Sequence, residues 1–457
     1  ADPVQAAVLD KHSQALARWA RQGIREAVLI NIDAHDDMRR VPPRKITALR
    51  RIHEREDWTA FEAAGVQGKK GLYHIGSFIY AGAKLGIVSH VYWVIPFSYF
   101  QTNDPQTELR KFLGEYGFSS ETIATFRLQE GHFRGMHAGI PLILCDFSSL
   151  PAVDEKVLLS IDADYFPPFA ESSGRDLLSA VSLFFSRLAH QKYSVEDAII
   201  SLSIDGGFLS IARRWVAEHC RAFLLRPETI SGPYPRTWMA RGIADMHYTA
   251  GDAEALLDLT QRFQAENESD MSLDVYRAFA LLAAGRTEQA YELALDCAAR
   301  DQACAYLLAD LGQCLIDRGR LAEALPFFEK AYAINPDMNF RQKELADALM
   351  KRERCEEALH YYGLYRRKNG PFPAAFLMGL AAARSGKVRE AEEFFREGAA
   401  ALKEERYPAL NKEIDIAALK TAARFFQARD KEERAAEITA GLEAAVSCKA
   451  GNIAKRD

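Results

Sequence analysis

Two short segments combine residue types and spacing that could do chemistry: Asp33-Ala34-His35-Asp36-Asp37 and Asp162-Ala163-Asp164. In each, ionisable side chains stand two residues apart, so they project to one side while the chain is extended. Each segment directly follows an apolar run, 27–32 and 156–161. Burying several acids at the end of hydrophobic strands is prohibitive unless cations neutralise them. One such cluster alone would equally be an acidic loop. Two, both on the carboxyl side of an apolar run, ask for metal.

Further candidates are scattered. Asp205 lies in Ser203-Ile204-Asp205-Gly206-Gly207-Phe208 after the run 198–204, and its bland reading is a turn cap. His12 lies in Asp10-Lys11-His12-Ser13, His74 precedes Ile75-Gly76-Ser77, and His137 lies in Gly135-Met136-His137-Ala138-Gly139. Each of these three also reads as a surface histidine.

The elements that must position them differ between the halves of the chain. In the first half, runs rich in Val, Ile and Leu at 27–32, 91–96, 140–145, 156–161 and 198–204 alternate with helix-like stretches such as 177–190 and 209–222. That pattern predicts an α/β domain with a parallel sheet buried on both faces by flanking helices. Functional residues in such sheets sit at the carboxyl ends of strands. Gly232-Pro233-Tyr234-Pro235 marks its end, so a domain of residues 1–235 and a second of 236–457 are expected.

The second half is periodic. Gly251, Gly285, Gly319 and Gly386 fall 34, 34 and 67 residues apart, with Glu353 at the intervening place. After four of these turns Ala290, Ala324, Ala358 and Ala391 recur in aligned stretches, where two helices must approach closely. The cleanest copy, 305–338, has Leu308, Leu311, Gly312 and Leu315 on one helix, Ala324, Phe328 and Ala331 on the next, then Pro336; Tyr362 and Phe395 repeat the place of Phe328. It resembles a tetratricopeptide repeat, which implies an all-α solenoid of five or six hairpins over 237–445, from Trp238–Phe263 to a closing pair around Ile416–Leu442. Any single Ala or aromatic there is core packing. The array as a whole forms a concave groove suited to a peptide or protein substrate, and a homo-oligomer is compatible with the sequence.

Composition narrows the classes. At 457 residues the chain is long enough for two cores, and 48% hydrophobic with 26% charged residues describes a globular protein. A net charge of -5 with mixed signs offers no general attraction to nucleic acid or anionic lipid, so neither is expected as a partner. No run reaches the ~18 apolar residues of a membrane span. Seven cysteines without a C-x-x-C pair argue against disulfides and thiolate metal sites and for a reducing, cytoplasmic setting. The chain opens Ala1-Asp2-Pro3 rather than with Met, as after processing or trimming, and a removed signal sequence is compatible with that.

Asp33-Ala34-His35-Asp36-Asp37 resembles the D-A-H-x-D motif of the arginase-like ureohydrolases, and Ser160-Ile161-Asp162-Ala163-Asp164 resembles their S-x-D-x-D motif. Asp10-Lys11-His12-Ser13 is similar to their D-H-S with one residue inserted. The resemblance covers about residues 5–230. It implies an arginase/deacetylase-like fold with two Mn²⁺ per chain. His12, Asp33, Asp37 and Asp162 would hold one ion and Asp33, His35, Asp162 and Asp164 the other, Asp33 and Asp162 bridging. Mostly carboxylate ligands favour Mn²⁺ over Zn²⁺.

Tyr165-Phe166-Pro167-Pro168 replaces the usual continuation of the second motif, so the chain departs from enzymes that act on free arginine. It is more similar to the divergent branch holding the peptide arginases, which convert arginine residues to ornithine in ribosomally made peptides. The features are the early D-K-H-S, Ile75-Gly76-Ser77-Phe78-Ile79 and Tyr92-Trp93-Val94-Ile95-Pro96. That branch implies a carboxylate to orient the guanidinium, for which Asp205 is the candidate, and a proton donor, for which His74 comes first and His137 second. Two rivals remain. A zinc deacetylase of the same fold would need only Asp33, His35 and Asp164, but wants a tyrosine where Phe208 stands. A repeat adaptor with an inactive hydrolase domain is the other.

Overall fold

The computed structural model describes residues 5–66, 71–266, 270–336, 338, 341–404, 413–429 and 431–441. Ala1-Asp2-Pro3, Leu442 and Cys448 lie outside them. The chain is mostly helical, with one eight-stranded mixed sheet in its first half. By contacts it divides into two compact units. One runs through Leu311 and takes in 329–336; the other holds Gly312–Phe328 and the chain from Met338 onward.

The strands are β1 (Ala6–Leu9), β2 (Ala27–Ile32), β3 (Val88–Val94), β4 (Arg127–Gln129), β5 (His132–His137), β6 (Ile140–Cys145), β7 (Lys156–Asp162) and β8 (Ser194–Ser201). Their order is β1-β8-β7-β2-β3-β6-β5-β4. The six from β1 to β6 are parallel, whereas β5 pairs antiparallel with both β6 and β4. The all-parallel expectation is therefore corrected at one edge. A Gly at 139 with φ of +76° follows Ala138 at +52°, and this turn folds β5 directly back on β6 without the crossover a parallel pair needs.

All six residues of β2 are buried, and in β7 only Lys156 is exposed. Such strands need cover on both faces, and their Val, Ile and Leu side chains contribute about 1.5–3 kcal/mol each by leaving water. β8 ends at Ser201, earlier than the apolar run 198–204, because Ser203 turns left-handed at φ +51°. The expected helix 209–222 is a short 3-10 turn, Ile211–Arg213, followed by the helix Trp215–Leu225.

The chain crosses from β1 at one edge to the central β2 and on to β3, runs to β4 at the far edge, comes back through β5 to β6, and then passes to β7 on the other side of β2. The seam between β2 and β7 is thus a topological switch point, where a crevice opens beyond the strands' carboxyl ends. β1 leads through residues 10–13 into the helix Gln14–Arg21, whose Ala15, Leu16, Ala17, Trp19 and Ala20 are buried. Arg18 on that helix holds the buried Asp197 of β8 with two nitrogens at 2.8 and 2.7 Å. A forked pair of this kind fixes direction as well as distance, so it anchors the turn carrying His12 to the sheet.

From Arg236 onward the chain is helical hairpins. The recurring turn is left-handed at every predicted place: Gly251, Gly285, Gly319 and Gly386 at φ of +71 to +78°, and Glu353 at +60°. Ala290, Ala324, Ala358 and Ala391 are fully buried. A Cβ on Gly312 would come within 2.7 Å of the Phe328 ring, so one helix is seated on its neighbour there through the absence of a side chain. No disulfide joins cysteines among the described residues. No helix is long and apolar enough to cross a membrane among the described residues.

Candidate metal centre

The two motifs fold alike. In each, the first aspartate folds its carboxylate back onto the backbone N–H two residues on: His35 N donates to Asp33 Oδ1 at 2.7 Å, and Asp164 N donates to Asp162 Oδ1 at 3.0 Å. This Asx turn is a local preference of Asp and sets the next ionisable side chain beside it. Register does the rest, because Ile32 and Ile161 are partners and therefore bring Asp33 and Asp162 to the same level of adjacent strands.

His12 enters from β1. Its Nδ1 lies 3.3 Å from Asp33, 3.0 Å from Asp37 and 3.2 Å from Asp162, while its Nε2 shares a 2.6 Å hydrogen bond with the Ser160 hydroxyl. His35 Nδ1 lies 3.1 Å from Asp164 and 3.5 Å from Asp33. Two groups result, His12/Asp33/Asp37 and Asp33/His35/Asp164, each with ligand atoms within 4.8 Å of one another and with Asp33 common to both. Asp162 faces the first group; its Oδ2 also accepts the Ser203 hydroxyl at 2.5 Å. The structure thus brings together all six residues expected as ligands.

Two imidazoles stand among four buried carboxylates, and burial opposes the charged form of both kinds of group. Burial, reinforced by Asp33, pushes Asp37 up to about 7, and burial with Asp162 and Asp33 raises Asp164 well above the ordinary carboxylate range. Burial opposes ionisation of Asp33 as well, but the His12 and His35 rings beside it bring it down to about 2. His35 is raised to about 11, burial being outweighed by Asp164 and Asp33. His12 Nδ1 and both Asp164 oxygens are buried without a hydrogen-bond partner. Unpartnered atoms that converge in this way fit a cation, since each would otherwise cost about 1–3 kcal/mol. Asp37 adopts φ +50°, a conformation held only where the surroundings require it.

The remaining candidates are placed differently. Asp205 pairs with Lys11 Nζ at 2.9 Å and accepts the Tyr306 hydroxyl. His74 Nδ1 accepts the Gly76 N–H at 3.1 Å, capping the 3-10 turn Ile75–Ser77. Burial, with Arg39 and Lys45 nearby, lowers it to about 4. His137 packs tilted against Phe118 with ring centres 4.2 Å apart and reaches Asp36 at 3.5 Å; burial and Arg40 bring it to about 4 too. Both rings are therefore neutral at pH 7, an unfavourable starting state for a proton donor.

Sequence reasoning passed over several residues. Lys11 and Ser203 lie inside quoted motifs, so adjacency was a signal. Tyr306 carried none, because repeat patterns speak only of packing. Phe208, half exposed, covers His35 with ring centres 4.5 Å apart. The segment after β8 is also tied to the first hairpins: Arg213 to Asp245 at 2.7 Å, Arg214 to Asp301, Ser210 to Asp310 at 3.3 Å, and Trp215 Nε1 to the Tyr276 hydroxyl at 2.9 Å. These ties explain why helices after Arg236 cluster with the sheet.

A family model for the tetratricopeptide repeat matches residues 305–338. That segment is a tetratricopeptide repeat. No curated protein matches the chain. Among solved structures, the C-terminal part of a TPR repeat-containing protein from Cytophaga hutchinsonii is 13% identical at a TM-score of 0.36, over 51% of this chain and 94% of that one. MamA from Desulfovibrio magneticus RS-1 is 17% identical at 0.29, over 39% and 95%. YrrB, described as a TPR protein with an unusual peptide-binding site, is 21% identical at 0.29, over 43% and 99%.

Proposed function

We propose that this chain is a binuclear manganese hydrolase of the arginase-like kind that acts on arginine residues in a peptide or protein, giving ornithine and urea. The observation that carries this reading is the surplus of buried carboxylates with unpartnered atoms converging at the β2/β7 switch point. His12, Asp33, Asp37 and Asp162 would hold one ion, and Asp33, His35, Asp162 and Asp164 the other. Two hard divalent ions held this way supply a water-derived nucleophile at neutral pH.

The chain's own residues do the remaining work. Ser160 fixes the His12 ring, and Ser203 fixes Asp162. Asp205 would accept the guanidinium's N–H groups. Oxygen adds to the guanidinium carbon, its bond to Nε breaks, and a proton passes to the departing amine. The proton is the one the attacking water gives up, and His74 or His137, each entering as the neutral ring, would accept it and hand it to the departing amine. Phe208 lacks the hydroxyl a deacetylase would use against an oxyanion. The repeats would hold part of the peptide.

Elemental analysis after chelator-free purification should give about two Mn²⁺ per chain. Incubation with an arginine-containing peptide library should yield the mass loss of conversion to ornithine. A single zinc and no gain with manganese would favour the deacetylase; no metal and no turnover would leave a repeat adaptor. Asp205→Asn should keep both ions while losing turnover, and loss of metal in that variant would place Asp205 among the ligands.

A further inference from the structure

Both oxygens of Asp205 are occupied from distant parts of the chain. Lys11 Nζ holds Oδ2 at 2.9 Å, and the Tyr306 hydroxyl donates to Oδ1. The carboxylate is 12% exposed, whereas the Lys11 side chain is 42% exposed. Lys11 immediately precedes His12, and Tyr306 lies in the helix Ala305–Asp317. Two residues before Asp205, Ser203 holds Asp162; three residues after it, Phe208 covers His35. The segment 203–208 therefore spans both ligand groups, with an ammonium already seated on the carboxylate between its two anchors.

We propose that Lys11 is an internal stand-in for the substrate's cation, displaced from Asp205 by an incoming guanidinium, and that Tyr306 is a positioning residue that holds Asp205 for this exchange and so favours arginine over lysine side chains. The inference rests on the guanidinium-hydrolase reading above. An ammonium is a point charge on a flexible stem, whereas a guanidinium presents a planar fork that meets both carboxylate oxygens. A lysine substrate would exchange one ammonium for another and gain little. An arginine gains a second charge-assisted hydrogen bond that offsets the displacement of Lys11, whereas the displacement itself costs both cations the same, so selectivity lies in how Asp205 is held.

Tyr306 does not block the fork. A carboxylate offers about four acceptor positions over its two oxygens, so Oδ1 takes the tyrosine hydroxyl and a guanidinium N–H together. Burial and the Asp205 charge raise the phenol's pKa, which keeps it a donor at neutral pH. The exposed stem of Lys11 lets it swing to water when displaced.

The test measures calorimetric affinity of the full chain, metal-free and manganese-loaded, for N-acetyl-arginine methylamide and its lysine counterpart. Lys11→Met should tighten both probes by the same factor, about tenfold, leaving the discrimination between them unchanged. Lys11→Arg should act in the opposite sense, weakening the arginine probe about tenfold because an internal fork now competes. Tyr306→Phe should weaken the arginine probe about three- to tenfold and raise KM with kcat and metal content retained. Unchanged affinities in both Lys11 variants would overturn the stand-in role, and an unchanged Tyr306→Phe would overturn the positioning role. Failure of the underlying reading looks different: the arginine probe would not bind the parent, or would bind Asp205→Asn as tightly.

Discussion

Lys343 in the repeats and His12 at the end of the sheet both stand among buried carboxylates, and the two clusters are balanced in different ways. Lys343 Nζ lies 2.9 Å from Asp347 and 3.0 Å from Asp415, and the Tyr362 hydroxyl donates to Asp347 at 2.7 Å. The chain supplies that cation itself, and the tyrosine takes up part of the remaining negative charge. At the sheet, Asp33, Asp37, Asp162 and Asp164 stand with the two imidazoles of His12 and His35. Each cluster leaves buried atoms without a hydrogen bond, Asp415 Oδ1 in the repeats and both Asp164 oxygens at the sheet, so what separates them is the balance of carboxylates against cationic side chains.

The largest expected effect is at the sheet cluster. Asp162→Asn removes a carboxylate shared by both proposed ligand sets, so bound metal should fall from about two ions to below one and turnover should vanish. Full activity in that variant would erase the distinction between the clusters. Lys343→Met should do the reverse, leaving metal content unchanged while destabilising the chain by about 3–5 kcal/mol, because two buried carboxylates then lose the ammonium they share. Denaturant unfolding followed by circular dichroism measures this. A neutral outcome would mean that the repeat cluster is as replaceable as a surface pair.

Acid and alkali should separate the regions. Asp347 and Asp415 raise Lys343 above its ordinary 10.5 despite burial, so its contribution is complete below that value and is lost as pH rises beyond it. On the sheet side, burial and Arg241 lower His219, stacked on Trp238, to about 2 from its ordinary 6.5. The unfolded chain then binds a proton that the folded chain refuses, so this contribution is present above 6.5 and is lost as pH falls below it. All five tryptophans, Trp19, Trp58, Trp93, Trp215 and Trp238, lie in the unit with the sheet. Their fluorescence should therefore report the acid transition first, and His219→Phe should flatten it. An acid limb unchanged in that variant would remove His219 from the account.

The smallest effect contrasts two left-handed residues. Glu353 at φ +60° occupies an exposed repeat turn where its neighbours have glycine, so Glu353→Gly should stabilise by about 0.5–1 kcal/mol with activity unaltered. Ser203→Gly relieves a similar φ of +51° but deletes the hydroxyl on Asp162, and should lower metal affinity about 10- to 100-fold. Metal titration of both variants compares them directly. Equal metal affinity in the two would reduce Ser203 to an ordinary turn residue.

Much of this was legible in the sequence because it is local. The acids directly after two apolar runs, the runs that became β2, β6 and β7, and the turn every 34 residues all follow from preferences within a few positions. The edge strands were not legible. β1 has four residues and β4 three, too short for a period to show, and β5 carries polar residues along its length.

Local pattern also could not say which distant residue meets which. The residue types at 33–37 and 162–164 by themselves led to the expectation of acids at the ends of two apolar strands, and the sheet buries Asp33, Asp37, Asp162 and Asp164 there. Tertiary structure alone decided that β1 would carry His12 and Lys11 to those strands and that Ser160 would hold the far side of the His12 ring. It alone brought Tyr306 to Asp205 across 101 residues. The physical reason is range. Turn geometry and strand period are set by sterics within a few residues, whereas strand order and helix docking are set by the burial of whole faces.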